Sequence, residues 1–223
     1  MALDQPWKII KLSVLCILAV FMNILLTVLF RDFLGLPLYI DTVFNAAVAF
    51  AAGLVPGIVV AVLGWLIPCV YYNHFNFYVL CSIAEVLLIC ALKPVSAEPA
   101  AETRQGLNQR FAGSPPVISK FASKEKIIAS YTGLAAKLML LYVVCAVTIS
   151  VLGGIINYVS DVFLEIHLRY YSVEDTFKLG LIMNNLPVLA VNILSRIQVN
   201  IVDRFIVIFG GYFISRGFAK FLR

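Results

Sequence analysis

The sequence is short of charge. Asp, Glu, Lys and Arg make up 13% of its 223 residues, and 62% are apolar. An ordinary soluble domain carries about a quarter charged residues. A water-soluble fold of this length has nowhere to hide so much hydrocarbon, so the composition is that of a polytopic membrane protein. Histidine is scarce as well. His74 and His167 stand alone, neither at metal-ligand spacing from other donors. HExxH, GxSxG and Walker A patterns are all missing. The chain is therefore expected to be no enzyme, to need no metal or cofactor, and to depend on a partner for energy if it transports anything. The five cysteines, Cys16, Cys69, Cys81, Cys90 and Cys145, lie in apolar runs without a CxxC and read as packing residues. Strand-like alternation over segments of about ten residues does not recur, which argues against an outer-membrane barrel. The net charge of +5 reads as helix orientation in a membrane rather than affinity for nucleic acid.

Long apolar runs are what the sequence has. Backbone groups in lipid must be satisfied within their own segment, so each run is expected to be helical. The expected fold is all-α, one membrane domain over 1–223 with six transmembrane helices near 9–30, 38–53, 58–72, 77–92, 138–158 and 201–218. The first apolar run is too long for a signal peptide and lacks a small-residue cleavage site, so it is expected to be retained. "LVPG" (54–57) and "NHFN" (73–76) are expected to turn the chain. A polar stretch, 93–126, reads as a cytoplasmic loop with room for an amphipathic helix near its end. An outer segment, 159–200, is expected to be amphipathic or re-entrant.

"NILSRIQVNIVDRFIVIFGGYF" (192–213) poses the hardest question, because Arg196, Asp203 and Arg204 interrupt an apolar run. A charge at mid-bilayer is costly. The distribution of Lys and Arg favours two elements here, with a break between Ser195 and Asn200 and the charges at the outer boundary. With six spans and both termini cytoplasmic, the inside holds Lys8, Lys11, Lys93, Arg104, Arg110, Lys120, Lys124, Lys126, Lys137, Arg216, Lys220 and Arg223. The outside holds Arg31, Arg169, Lys178, Arg196 and Arg204, a bias of twelve to five. Asp203 and Arg204, being adjacent, point about 100° apart on a helix, so each is expected to find a partner elsewhere, such as Arg196 or Asp41.

Polar and aromatic residues gather at the expected outer ends: Asp41 and Asn45; Tyr72, Asn73, His74 and Asn76, with Tyr78 close by; Asn157; Asn184 and Asn185; Asp203 and Arg204. Flat rings and convergent hydrogen-bonding groups suit a heteroaromatic ligand, although an interfacial aromatic belt uses the same residues. Glu85, in "SIAEVLLICALK", falls mid-span, where it must be paired, neutral or turned toward a polar cavity. Its replacement by Gln is expected to leave the fold intact. Ala47, Ala51, Gly57, Ala61 and Gly64 allow close helix approach, either within the bundle or against a coupling protein.

"LPLYIDTVFNAAVAFAAGLVPGIVVAVLGWL", "VLGGIINYV" and "IQVNIVDRFIVIFGGYFI" resemble the second and third, fifth and sixth spans of the substrate-binding S components of energy-coupling-factor (ECF) transporters. The related membrane modules of bacterial sensor proteins share the pattern. The resemblance implies a multi-pass protein of the bacterial cytoplasmic membrane that captures a vitamin or precursor from outside. It also implies partners: a coupling membrane protein and an ATPase pair. S components often carry Ala-xxx-Ala on the first helix for docking; here Ser13, Cys16 and Ala19 stand at other spacings.

Overall fold

A computed structural model describes residues 4–34, 40–73, 75–94, 116–162 and 173–223. Every regular element among them is helical. In chain order they are α1 (Asp4–Thr27), a π-helical extension (Val28–Phe33), a 3-10 turn (Ile40–Thr42), α2 (Val43–Ala52), α3 (Leu54–Tyr71), α4 (Val79–Leu92), α5 (Pro116–Val162), α6 (Val173–Met183) and α7 (Val188–Leu222). Four helices are long and apolar enough to cross a membrane: Pro6–Phe30, Leu54–Tyr71, Tyr131–Ser160 and Val188–Leu222. Ile40–Ala52 and Val79–Leu92 are shorter apolar helices.

Local chemistry explains the boundaries. The corner between α2 and α3 is Gly53 alone, at φ +92°, where a side chain would be strained. "LVPG" is therefore not the turn but the first turn of α3, where Pro56 gives up only a donor that has no intrahelical partner. Asn73, at φ 49°, takes the left-handed conformation just beyond α3, and Asn185, at φ 57°, does so beyond α6. α4 stops at Lys93, whose ψ of 136° is the extended conformation that the following Pro94 imposes.

One of the sequence expectations is extended here and another changes. Helix α5 begins at Pro116, so the end of the proposed 93–126 loop is helical and continuous with the fifth apolar run. The stretch 192–213 does not divide. It lies inside α7, one helix of 35 residues without a break between Ser195 and Asn200, and the re-entrant segment expected to end there is not seen. At 1.5 Å per residue α7 is about 52 Å long, more than a hydrocarbon core of about 30 Å requires.

Packing inverts the usual polarity. Glu85 and Asp203 are 0% exposed, whereas Ile17 is 70% and Val55 71% exposed. Hydrocarbon faces outward and acids face inward, the arrangement lipid demands. The main core joins α2, α3, α4, α5 and α7 through Val43, Ala49, Ala61, Val86, Leu141, Cys145 and Val207. A smaller one seats α1 on α2 and α3 through Ala19, Val20, Val48 and Val60. Helix α7 approaches its neighbours at glycines: a Cβ on Gly211 would lie 2.7 Å from that of Ala46, and one on Gly154 would lie 2.7 Å from the Ile193 backbone. The five cysteines are free thiols, three of them buried.

Candidate functional site

Asn192, Arg196, Asn200 and Arg204 stand four apart on α7, and all four are buried. Four residues on an α-helix advance about 40° beyond one turn, so the four side chains follow a single inclined ridge. This ridge meets α5 and α4, which supply polar partners at matching depths.

At the first level the Arg196 guanidinium lies 4.5 Å from the centre of the Tyr78 ring. Its Nη2 donates to the Tyr78 hydroxyl and, at 3.3 Å, to Asn157 Oδ1. Tyr78 in turn donates its hydroxyl hydrogen to Asn157 Oδ1. One arginine thus ties the start of α4 to the end of α5. The turn leading into α4 is fixed by Asn76, whose Oδ1 accepts from the Trp65 indole at 3.0 Å and from the Tyr78 amide at 3.1 Å. One turn along α7, Asn200 donates to the Ser150 hydroxyl at 3.0 Å, and Ser150 donates to the Ala146 carbonyl at 2.7 Å.

At the third level Arg204 Nη1 donates to Glu85 Oε2 at 2.5 Å and to the Thr42 hydroxyl at 3.2 Å. The Thr42 hydroxyl is also within reach of the Glu85 carboxylate. The side chains of Arg204 and Glu85 are 4% and 0% exposed. Asp41 and Asp203 place further negative charge around the guanidinium. Eight residues of α7, about 12 Å, separate this level from Arg196. Carboxylates thus cluster deeper in the bundle, and the aromatic and amide groups sit nearer its end.

The sequence-derived candidates separate into groups. Glu85, Asp41, Asp203 and Arg204 come together, and Asn157 and Asn76 belong to the Tyr78 end of the same row. Arg204 pairs with Glu85, a partner that the expectation, which offered Asp41 or Arg196 for Asp203 and Arg204, did not name. Sequence alone does not say which side chain of another helix reaches α7. Asn45 lies elsewhere: Asn23 Nδ2 donates to its Oδ1 at 2.8 Å, and Asn23 Oδ1 accepts from the Phe44 amide at 3.2 Å, a clasp between α1 and α2. Asn184 and Asn185 are exposed at the end of α6, where Asn184 donates to the Gly180 carbonyl. Asn73 is an exposed turn residue, Tyr72 is half-buried at the end of α3, and His74 lies outside the described residues. Ala47, Gly57 and Ala61 are enclosed by the chain's own helices and offer no outer face, while Ala51 and Gly64 are half-buried. Thr42, Ser150 and Asn200 were not singled out in the sequence. The four-residue spacing of 192, 196, 200 and 204 was the signal that would have found Asn200.

The described residues hold no group of three or more His, Cys, Asp or Glu suited to a metal ion. The row can hold polar groups in a dry interior, orient them, and trade hydrogen bonds with a solute. Comparison with family models, with curated proteins and with solved structures finds no match.

Proposed function

We propose that the chain is a six-span membrane protein that binds a small polar solute along the row from Arg196 to Arg204. On this reading it is the membrane-embedded solute-binding subunit of an ECF-type importer. The four long and two short apolar helices supply the six spans, and both termini are cytoplasmic. The row then opens toward the outer face at Asn76, Tyr78 and Asn157 and leads inward to Thr42, Glu85 and Arg204. A vitamin-like molecule is captured there, and a partner ATPase module drives its release.

The observation that carries this reading is the buried ion pair with its polar row inside an otherwise apolar bundle. Intramembrane charge is expensive and commonly lines a solute path. The decisive test is mass spectrometry of small molecules that remain with the protein after purification in mild detergent. One organic species at near-stoichiometric occupancy, lost in Arg204→Met but kept in Lys178→Gln, a change on α6 outside the row, is the expected outcome. A preparation free of organic solute, and unaffected thermally by a panel of vitamins, would contradict the reading.

One feature favours a second reading, a ligand sensor. Helix α5 runs for 47 residues, about 70 Å, more than twice the hydrocarbon thickness, and a rigid helix leaving the membrane can report occupancy to a cytoplasmic protein. Affinity capture separates the two: an ATPase pair with a coupling membrane protein marks an importer, a kinase or cyclase marks a sensor.

A further inference from the structure

The beginning of α1 and the end of α7 meet, and past Asp4 every charge there is positive. Lys11 holds its ammonium 6.0 Å from the centre of the Phe221 ring, which joins the two helix ends. Lys8, one turn earlier on α1, is exposed. On α7, Arg216 and Lys220 are exposed four residues apart on one ridge, and the Arg216 guanidinium lies 5.6 Å from the Tyr212 ring centre. No Asp or Glu follows Asp4 in α1 or Asp203 in α7. Four cations thus stand at these two helix ends, and Asp4, one turn before Lys8, is the single acid within a turn of them on either helix. The C-terminal dipole of α7 offers only about half an elementary charge in compensation.

Depth identifies where the missing counter-charge comes from. Twenty residues separate Arg216 from Arg196, about 30 Å of helix, which is the thickness of the hydrocarbon layer. With the Arg196 end of the row at one boundary, the basic seam falls at the headgroup level of the other. Trp7 and Phe221, exposed by 62% and 47%, stand beside the lysines, where aromatic rings suit the interface.

We propose that this seam binds an anionic phospholipid, its phosphate taken by Lys8, Lys11, Arg216 and Lys220 and its acyl chains lying against Trp7 and Phe221. A zwitterionic lipid carries its own ammonium and neutralises the seam poorly, so the site discriminates by net headgroup charge. The proposal rests on the six-span placement of Arg196 at one boundary but not on a bound solute.

Native mass spectrometry of the full chain released from nanodiscs of equal phosphatidylglycerol and phosphatidylcholine tests it. The wild type should retain phosphatidylglycerol at least fivefold over phosphatidylcholine. Each lysine near an anionic surface is worth about fivefold, so Lys11→Gln with Lys220→Gln should abolish the preference. Lys178→Gln should leave it intact. Raising the salt tenfold before release should weaken the wild-type preference, a readout that does not depend on any variant folding. Equal retention of the two lipids by the wild type would overturn the proposal. So would an unchanged preference in the double variant, or one that is indifferent to salt.

Discussion

Glu85 and Arg204 are 119 positions apart in the chain and 2.5 Å apart at their closest atoms. Half of this was legible in advance. An acid inside "SIAEVLLICALK" must be compensated wherever it lands, because an ionised group in lipid is costly. Its partner was hidden, since helix pairing is a property of the folded bundle and Arg204 had been assigned to a solvated boundary. Knowing the partner reverses one expectation. Replacing Glu85 by Gln was to leave the fold intact, but it now takes the ion-pair partner from a buried guanidinium. Removing one member of a buried pair costs about 3–5 kcal/mol, whereas apolar replacement of both is often nearly neutral. Glu85→Gln and Arg204→Met should each lose about that much stability, measured by unfolding in mixed dodecylmaltoside and sodium dodecyl sulfate micelles. Glu85→Met combined with Arg204→Met should recover most of it. Single variants as stable as the wild type would mean that the pair does not exist.

Helix α7 shows why the spacing of charges matters more than their number. Three charges in one apolar run, read with the distribution of Lys and Arg, led to two elements meeting at water. That reading treats the helix as if every face met lipid. Positions 192, 196, 200 and 204 share one buried ridge, which α5 packs against and which Tyr78 and Glu85 reach from the α4 side, while Ile197, Ile201 and Phe205, each one residue further on, remain exposed. The covering depends on close approach. A Cβ at Gly154 would stand 2.7 Å from Cα and 2.9 Å from N of Ile193, inside any permitted contact. Gly154→Leu should therefore push α5 away from α7 and destabilise the protein by about 1–3 kcal/mol or more. Gly180→Ala, with nothing within 4 Å of the new methyl, should be neutral or stabilising by up to about 1 kcal/mol, since alanine favours helix. The same detergent unfolding assay reads both, and equal tolerance of the two substitutions would argue against the α5–α7 contact. Gly154 was legible as a small residue in "VLGGIINYV", but its contact with Ile193 was not.

At the scale of the whole molecule, composition pointed to a membrane protein: 62% apolar with 13% charged residues, and four helices are long and apolar enough to cross a bilayer. All-helical architecture followed from the need to satisfy the backbone there. Composition does not specify which polar residues converge, and the candidates divided accordingly into the row between α4, α5 and α7, the Asn23–Asn45 clasp and the exposed end of α6. The central claim is that α7 is one uninterrupted helix in lipid whose polar row is turned into the bundle. Nitroxide scanning from 192 to 206, in a background with the native cysteines replaced and the protein in liposomes, measures this directly. Oxygen accessibility should peak at 194, 197, 201 and 205, fall to minima at 192, 196, 200 and 204, and keep one helical phase throughout. A phase break between 195 and 200, or access of a water-soluble nickel chelate around the full circumference there, would contradict it.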